Sequence, residues 1–299
     1  MPSIRGLLFL NPASGVRFPD AAALESAATE AGLQVVRFAS VADIGLMIRE
    51  QMRLGRRLFV AAGGDGTISS VVQPLVNSEA QLGVIPAGTY NHFARDIGIP
   101  LGWREALDVV LSGTTRQIDV GRINDRFFIN NVSIGLYPEL VARREERGRD
   151  YPRWKARLYG AYATLRKYPH VTLAVETEYL NEIIKTHVFV VSNNSYDLSR
   201  LGVEAPRNTL EEGRLSVYWL PHVPRIALTR FLANYLAGRV KTTPGFRSFR
   251  TTQLKVQSAH KRLRLGIDGE LVIMVPPLVI TIVPKSLLVK VPRLQSPTS

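Results

Sequence analysis

The stretch AAGGDGTISSVV, residues 61–72, interrupts an apolar run with three glycines and an acid before the chain turns apolar again. The preceding residues 57–62 read as a short buried strand, and the apolar residues after the break recur at helical spacing. The pattern predicts a strand-to-helix turn with Thr67 as the N-cap of the helix. The turn itself consists of Gly63, Gly64, Asp65 and Gly66.

A turn at the carboxyl end of a parallel strand is where α/β sheets bind ligands. Glycines let bare backbone N–H groups approach an anion, and the helix N-terminus adds partial positive charge. Asp65 is unexpected there, because an acid repels a phosphate unless Mg²⁺ or a cationic group intervenes. The stretch therefore predicts a site for a metal-bound nucleotide, with a plain structural turn as the alternative.

Two further polar turns follow strands that are predicted in the same sheet. Residues 11–15 (NPASG) follow a strand at 4–10, and residues 86–95 (PAGTYNHFAR) follow a strand at 82–85. Taken alone, NPASG is typical of an ordinary turn. Because the carboxyl ends of parallel strands meet at one edge of a sheet, the three turns together predict one cleft.

The segment pattern changes along the chain. Residues 1–120 alternate strand-like and helix-like segments, which predicts βαβ units and a mainly parallel sheet. Later segments are mostly strand-like, including runs at 126–134, 183–191 and 263–267, and favour a mostly antiparallel sandwich or barrel, with helical patterns near 153–168 and 224–237. We predict an α/β domain over residues 1–123 and a β-rich domain over residues 124–285.

Composition narrows the kinds of site. The chain has no cysteine and five scattered histidines, so disulfides, thiolate-held metals and zinc-type spacing are excluded. Any metal is expected to be a hard cation on oxygen ligands. No run approaches the roughly 18 apolar residues of a membrane-spanning helix, and the N-terminus does not read as a secretory signal. We therefore expect a soluble, cytoplasmic chain.

The net charge is +13, from 38 Lys and Arg against 25 Asp and Glu, and it predicts attraction to polyanions. Nucleic acid, anionic lipid headgroups and nucleotide phosphates all fit, and charge alone does not choose among them. Basic residues form two clusters, for which a solvated surface is the alternative interpretation. The clusters are Arg143, Arg144, Arg147, Arg149, Arg153, Lys155 and Arg157, and Lys261, Arg262 and Arg264.

Neither G-x-x-x-x-G-K-[ST] nor G-x-G-x-x-G after the first strand occurs, so P-loop enzymes, protein kinases and the usual dinucleotide-binding fold have little support. Six motifs together resemble the diacylglycerol kinase catalytic-domain family, bacterial lipid kinases that also resemble sphingosine kinases. GGDGT alone is shared with NAD kinases, but the combination runs over nearly the whole chain in order. The motifs are NPASG (11–15), GGDGT (63–67), PAGTYNHFARDIGIP (86–100), IDVG (118–121), FFINNVSIG (127–135) and IDGE (267–270).

The resemblance implies an N-terminal α/β domain similar to those of NAD kinase and phosphofructokinase and a β-sandwich-like C-terminal domain. A last strand near residues 286–294 is implied to return to the first domain. The implied activity is transfer of the γ-phosphoryl group of ATP to a lipid hydroxyl, with Mg²⁺ and with ATP in the cleft between the domains.

The family's residue roles carry over by motif. Glu270 matches the base for the attacking hydroxyl, although Asp268-Gly269-Glu270 also reads as a plain hairpin turn between two apolar strands. Asp65 is implied in holding Mg²⁺, directly or through water. The residues implied to line the nucleotide phosphates are Asn11, Ser14, Gly63, Gly64, Gly66, Thr67, Gly88, Thr89 and Asn91.

Two positions depart from the family pattern. Many members have Asp where this chain has His92, and that Asp joins a network with the GGDGT acid and a later acid, which Asp119 matches. His92 is either a buried structural residue or a catalytic one. Many members also have an Asp-Gly that helps bind a structural Mg²⁺, where this chain has Glu212-Gly213, so Glu212 is a candidate metal ligand.

The implied substrate places the protein peripherally at the inner face of a membrane, where the arginine cluster at 143–157 and its aromatic neighbours suit anionic lipid. No nucleic-acid module accompanies the charge, so nucleic acid is not an expected partner. A kinase of a soluble acceptor such as NAD and a catalytically silent nucleotide or lipid sensor are the alternatives. The lipid itself, whether diacylglycerol, a sphingoid base or an isoprenoid alcohol, and the oligomeric state, including a homodimer, are left open.

Overall fold

In the computed structural model, the described residues are 5–11, 21–38, 41–135, 170–193, 210–222, 224, 226–227 and 247–293. The chain divides into two compact units. Unit 1 consists of Met1–Val120 and Val283–Ser299, and unit 2 consists of Gly121–Ile282. The predicted combination of an α/β domain and a β-rich domain is confirmed.

Unit 1 alternates strands and helices. Strands β1, β3 and β4 are near-continuous apolar runs that are buried on both faces, as strands of a helix-covered parallel sheet are. The elements are β1 (Gly6–Leu10), α1 (Ala21–Glu30), β2 (Leu33–Arg37), α2 (Val41–Arg53), β3 (Leu58–Gly63), α3 (Asp65–Leu75), β4 (Gln81–Pro86), α4 (His92–Asp96), α5 (Trp103–Ser112), most of β5 (Thr114–Ile123) and the C-terminal part of β15 (Leu278–Val291).

The sheet of unit 1 is parallel, in the order β2–β1–β3–β4–β15. Strand β3 lies between β1 and β4, with Ala62 opposite Leu10 and Gly63 opposite Pro86. Because these three strands run in the same direction, their carboxyl ends lie at one edge. Asn11, the glycine turn after β3 and the turn after β4 are therefore neighbours.

Unit 2 is an antiparallel β structure around a long central strand, β9. The order is β14–β13–β7–β9–β8–β12–β15, and β10 and β11 extend from β9. The strands besides parts of β5 and β15 are β6 (Arg126–Phe128), β7 (Asn131–Gly135), β8 (Val171–Glu176), β9 (Asn181–Ser192), β10 (Leu215–Pro221), β11 (Arg247–Thr251), β12 (Gln253–Ser258), β13 (Leu263–Ile267) and β14 (Glu270–Met274).

Two local expectations differ from the structure. The run at 126–134 is two strands, β6 and β7, because the chain leaves the ladder at residues 129 and 130, whose amides bind a carboxylate described below. Strands β5 and β11 and helices α4 and α5 were not predicted. The helical pattern at 153–168 lies outside the described residues, as does most of that at 224–237. Within the described ranges, no helix is long and apolar enough to cross a bilayer.

Candidate active-site elements

Helix α3 begins earlier than the sequence predicts. Gly64, in an extended conformation, is its N-cap, and Asp65 is its first residue. An acid in the first turn is favoured by the helix dipole, which accounts for the earlier start. Thr67 is therefore not the N-cap. It lies buried inside the first turn, where its hydroxyl accepts a hydrogen bond from Asn11 Nδ2 at 3.1 Å, so the end of β1 is tied to the glycine turn.

The glycine turn and the turn after β4 approach each other through backbone atoms. The Ala87 N–H donates to the Gly63 carbonyl at 2.9 Å. A Cβ atom at Gly88 would lie 2.6 Å from the Gly64 Cα, which leaves no room for a side chain at position 88. This close approach requires glycine and leaves no side chain over the backbone where the two turns meet.

Asn91 closes the turn after β4. Its φ of 50° is in the left-handed region, which Asn tolerates better than most residues. Its Oδ1 accepts the Gly88 N–H at 2.9 Å, and its Nδ2 donates to the Gly88 carbonyl at 3.1 Å. The buried Asn91 amide therefore shapes the turn, while Thr89 is exposed within it.

Asp65 links the glycine turn to helix α4. Its half-buried carboxylate accepts hydrogen bonds from the amides of Phe93 at 3.2 Å and His92 at 3.4 Å, each on a different oxygen. These amides begin α4, so the carboxylate caps that helix. Because an ionised carboxylate offers about four lone-pair sites, the two bonds leave capacity for a cation or a water molecule.

His92 and Asp119 occupy different surroundings. The His92 side chain is exposed and stacks on Tyr90, with ring centroids 5.5 Å apart and planes at 8°. The buried interpretation of His92 is therefore wrong, because the residue starts a short helix at the surface, and its catalytic role stays a prediction. Asp119 is buried in β5, where its carboxylate accepts the Lys285 amide at 2.8 Å.

In unit 2, the Asp-Gly-Glu motif forms the hairpin turn between β13 and β14. Asp268 and Gly269 both have positive φ, 49° and 88°, as the central residues of a two-residue hairpin turn often do. Ile267 pairs with Glu270 across this turn. The hairpin interpretation of the motif is thus correct, and it leaves the role of Glu270 open.

The Asp268 carboxylate braces this hairpin. Asp268 is 6% exposed, and its two oxygens accept the amides of Ile129 at 3.0 Å, Asn130 at 2.8 Å and Asn131 at 3.2 Å. The Asp268 amide donates in turn to the Asn131 carbonyl at 2.9 Å. The brace thus holds the hairpin against the start of β7.

Glu270 lies exposed beside the braced turn. Its side chain is 46% exposed, and its carboxylate is 3.9 Å from the Arg126 guanidinium of β6. An exposed ion pair at this distance contributes little to stability. The Glu270 carboxylate is therefore accessible to a ligand while its backbone is held in place.

Glu212 forms an ion pair with Arg250 at 3.1 Å, so a metal there would have to displace a guanidinium. Among the described residues, no group of three or more His, Asp and Glu is arranged to hold a metal. Gly66 lies half-buried in the first turn of α3. Ser14 and the arginine cluster at 143–157 fall outside the described residues.

Models of known protein families match residues in both units. The model of the diacylglycerol kinase catalytic domain matches residues 5–123, and that of the YegS C-terminal NAD kinase beta sandwich-like domain matches residues 131–291. A diacylglycerol kinase of Bacillus subtilis (strain 168) is 30% identical over 234 residues, 73% of each chain. The chain belongs to the diacylglycerol kinase family.

Further matches are shorter or more distant. A diacylglycerol kinase of Staphylococcus aureus (strain JH9) is 36% identical over 134 residues, only 42% of each chain. A solved diacylglycerol kinase structure from Bacillus anthracis str. Sterne has a TM-score of 0.64 at 16% identity and covers 97% of this chain and 98% of that chain. A second solved chain from that strain has a TM-score of 0.72 at 18% identity over 97% of this chain and 98% of that chain. At these identities the likeness shows the fold alone.

The residues that support the hairpin in this diacylglycerol kinase family member were not predicted from the sequence. Besides Asp268, the Ser192 hydroxyl donates to the Asn130 carbonyl at 3.1 Å, and Asn193 Nδ2 donates to the Ile129 carbonyl at 3.3 Å. These partners are 62 and 64 residues apart in the chain. FFINNVSIG stands out as a motif, but no local pattern names its partners.

Proposed function

We propose that this chain is a lipid kinase that transfers the γ-phosphoryl group of Mg²⁺-ATP to the hydroxyl of diacylglycerol or a related lipid. The observation that carries the proposal is the 30% identity, over 73% of each chain, to a Bacillus subtilis protein named diacylglycerol kinase. The bare glycine turns of unit 1 and the accessible carboxylate of unit 2 are compatible with the two halves of that reaction.

The nucleotide half concerns unit 1. Phosphoryl transfer depends on positioned phosphates and neutralised charge. No side chain of their own covers the backbone at Gly64 or Gly88. The Gly88 N–H is taken by Asn91, so the positive N-terminal end of α3 is the part that suits a phosphate chain. Mg²⁺ is usually bound through one or two carboxylates, phosphate oxygens and waters, and the remaining lone pairs of Asp65 fit such a ligand. When bound, the metal would neutralise phosphate charge.

Gly88→Ala is expected to weaken ATP binding by about tenfold, or about 1.4 kcal/mol, because the added side chain displaces a turn proposed to contact the phosphates. The added Cβ would lie 2.6 Å from the Gly64 Cα and 2.8 Å from the Asn91 Oδ1, and so would force the two turns apart. Titration calorimetry with ATP measures the effect. Gly45→Ala in α2 is the matched control, since its Cβ would meet only the Arg49 side chain, at 3.6 Å. Equal ATP affinity in both variants would contradict this role of Gly88.

The acceptor half concerns Glu270. Its carboxylate accepts the proton of the lipid hydroxyl as the hydroxyl oxygen forms a bond to the γ-phosphorus and the bond from that phosphorus to the ADP oxygen breaks. The Asp268 brace fixes the backbone beside Glu270. A lipid acceptor also requires peripheral contact with the inner face of a membrane, which the net charge of +13 favours when the lipid is anionic.

A soluble acceptor such as NAD is the second candidate, because the family model matching residues 131–291 is described as NAD kinase beta sandwich-like. The test offers full-length protein γ-labelled ATP and Mg²⁺ with vesicles that carry diacylglycerol, a sphingoid base or an isoprenoid alcohol, and with NAD in a separate reaction. We expect label in diacylglycerol and none after chelation of Mg²⁺. Label in NAD alone would replace the lipid by a soluble acceptor, and ATP binding without any labelling would favour the silent sensor.

Asp65→Asn is expected to lower this labelling by about 10–100-fold, the usual effect of altering a group that orients a metal. Initial rates at saturating lipid measure the change. Asp43→Asn is the matched control, because Asp43 is an exposed acid in the first turn of α2. If the two variants label lipid equally well, Asp65 has no part in the reaction.

A further inference from the structure

The strand β14 carries apolar residues on both faces. Val272 and Met274 pack against the core of unit 2. Leu271, Ile273 and the following Val275 alternate with them and so share the opposite face. These three side chains, which we call the β14 strip, belong to residues that are 39%, 57% and 63% exposed.

The β14 strip differs from scattered apolar residues on a surface. Among the described strands, β14 lies at the end of the sheet order and pairs with β13 alone. The solvated face of an antiparallel sheet is usually polar, and edge strands usually carry charges that discourage contact. Three aligned apolar side chains on such an edge therefore indicate a contact surface.

Positive charge borders the strip. Arg264 of β13 lies directly opposite Ile273 and so on the same face of the sheet, and it is exposed. Lys261 and Arg262 are exposed in the bend that leads into β13. Long basic side chains can lay their apolar stems along such a surface while their charged ends reach outward.

The acids of the same segment do not offset this charge. Residues 260–275 contain two acids, Asp268 and Glu270. Asp268 is buried and bound to backbone amides, and Glu270 is paired with Arg126. With Arg126, the basic residues Lys261, Arg262 and Arg264 outnumber these two acids, so the local net charge is positive and complements an anionic surface.

We propose that the β14 strip and its basic border, Lys261, Arg262 and Arg264, dock the protein on an anionic lipid bilayer. The apolar side chains enter the boundary between headgroups and acyl chains, and the basic side chains meet lipid phosphates. The proposal rests on the proposed function and names the surface by which the kinase reaches its lipid. Glu270 begins β14, so docking and proton acceptance share one hairpin.

Flotation of the full-length protein with vesicles tests this docking. The vesicles contain phosphatidylcholine alone or with phosphatidylserine, and they lack diacylglycerol and nucleotide, so binding does not require the reaction. We expect binding that depends on phosphatidylserine and weakens with salt, because exposed charges are screened. Each basic residue near the surface contributes about fivefold to partitioning, from about 1 kcal/mol.

Two sets of variants locate the surface. The double variant Ile273→Ser with Val275→Ser is expected to lower vesicle binding about tenfold or more, because it removes apolar area that inserts into the interface. Its control is Ile183→Ser, at a 79% exposed residue of β9, which is expected to bind like wild type. Arg262→Gln with Arg264→Gln is also expected to lower binding. Arg49→Gln with Arg53→Gln, at exposed residues of α2, makes the same change in net charge and is expected to leave more binding. All replaced side chains are exposed, and thermal melting checks the fold.

Wild-type binding by both double variants, the one in the strip and the one in its basic border, would overturn the proposal, as would binding that appears only when diacylglycerol is added. Loss of a concentration-dependent dimer in the strip variants, with vesicle binding kept, would mean that a second copy of the chain covers the strip. Phosphorylation of a short-chain diacylglycerol in solution distinguishes failure of the kinase proposal from failure of the docking proposal. If the wild type binds vesicles but phosphorylates nothing, the kinase proposal fails and docking stands. If the strip variants bind vesicles normally and the wild type turns over the short-chain lipid, docking fails alone.

Discussion

Glu270→Gln is expected to lower the rate of lipid phosphorylation by about 10²–10⁴-fold, the usual contribution of a positioned general base. The carboxamide keeps the size of the side chain but does not take a proton from the lipid hydroxyl. Affinity for ATP is expected to stay unchanged, because the nucleotide contacts proposed here are made by residues of unit 1. Initial rates with diacylglycerol vesicles and ATP titrations measure the two effects separately.

The matched control is Glu182→Gln, at an exposed acid of β9 in the same unit. It removes the same charge from unit 2 and is expected to keep wild-type rates. A Glu270→Gln rate within about twofold of wild type would show that Glu270 is not the base, since this is far below the smallest usual effect of about 10²-fold. An equal loss of rate in Glu182→Gln would show that the net charge of unit 2 matters, and not the position of the Glu270 carboxylate.

Asp268→Asn is expected to lower the free energy of unfolding of the protein by about 2–3 kcal/mol, the scale of hydrogen bonds to a charged group. Asn tolerates the φ of 49°, so backbone strain does not contribute to the expected loss of stability. The carboxamide has one acceptor oxygen where the carboxylate has two, and the buried amides of Ile129, Asn130 and Asn131 share both of those oxygens. Urea unfolding followed by tryptophan fluorescence measures the loss; of the three tryptophans, Trp219 lies in the unit 2 core.

Asp125→Asn is the control for Asp268→Asn, because Asp125 is exposed in the turn between β5 and β6. It is expected to change the stability by no more than about 0.5 kcal/mol, as surface substitutions usually do. If Asp268→Asn unfolds at the same urea concentration as wild type, the brace contributes nothing to the fold. If it is destabilised but keeps full activity below the transition, the brace does not position Glu270.

The features that the sequence predicted correctly depend on residues that are close together in the chain. The glycine turn stood out because an apolar strand and a helical period flank it, and the two-domain fold followed from the change of period along the chain. The cap of α3 was assigned wrongly, because the Thr67 hydroxyl binds Asn11, which lies 56 residues away. The Asp268 brace was missed for the same reason, since its partners lie 137 to 139 residues away.

The return of β15 beside β4 has a consequence for how this chain is made. Unit 1 is assembled from two segments that are far apart in the chain, and residues Leu288 and Val289 pair with the edge of β4 that β3 leaves open. During synthesis that edge stays uncovered until residues 288 and 289 have left the ribosome, and exposed edges invite wrong pairing. A fragment cut after residue 123, the end of the catalytic-domain match, keeps the glycine turns but carries the open edge permanently. Unit 2, in contrast, is formed by one continuous segment of the chain and does not depend on a distant segment in this way.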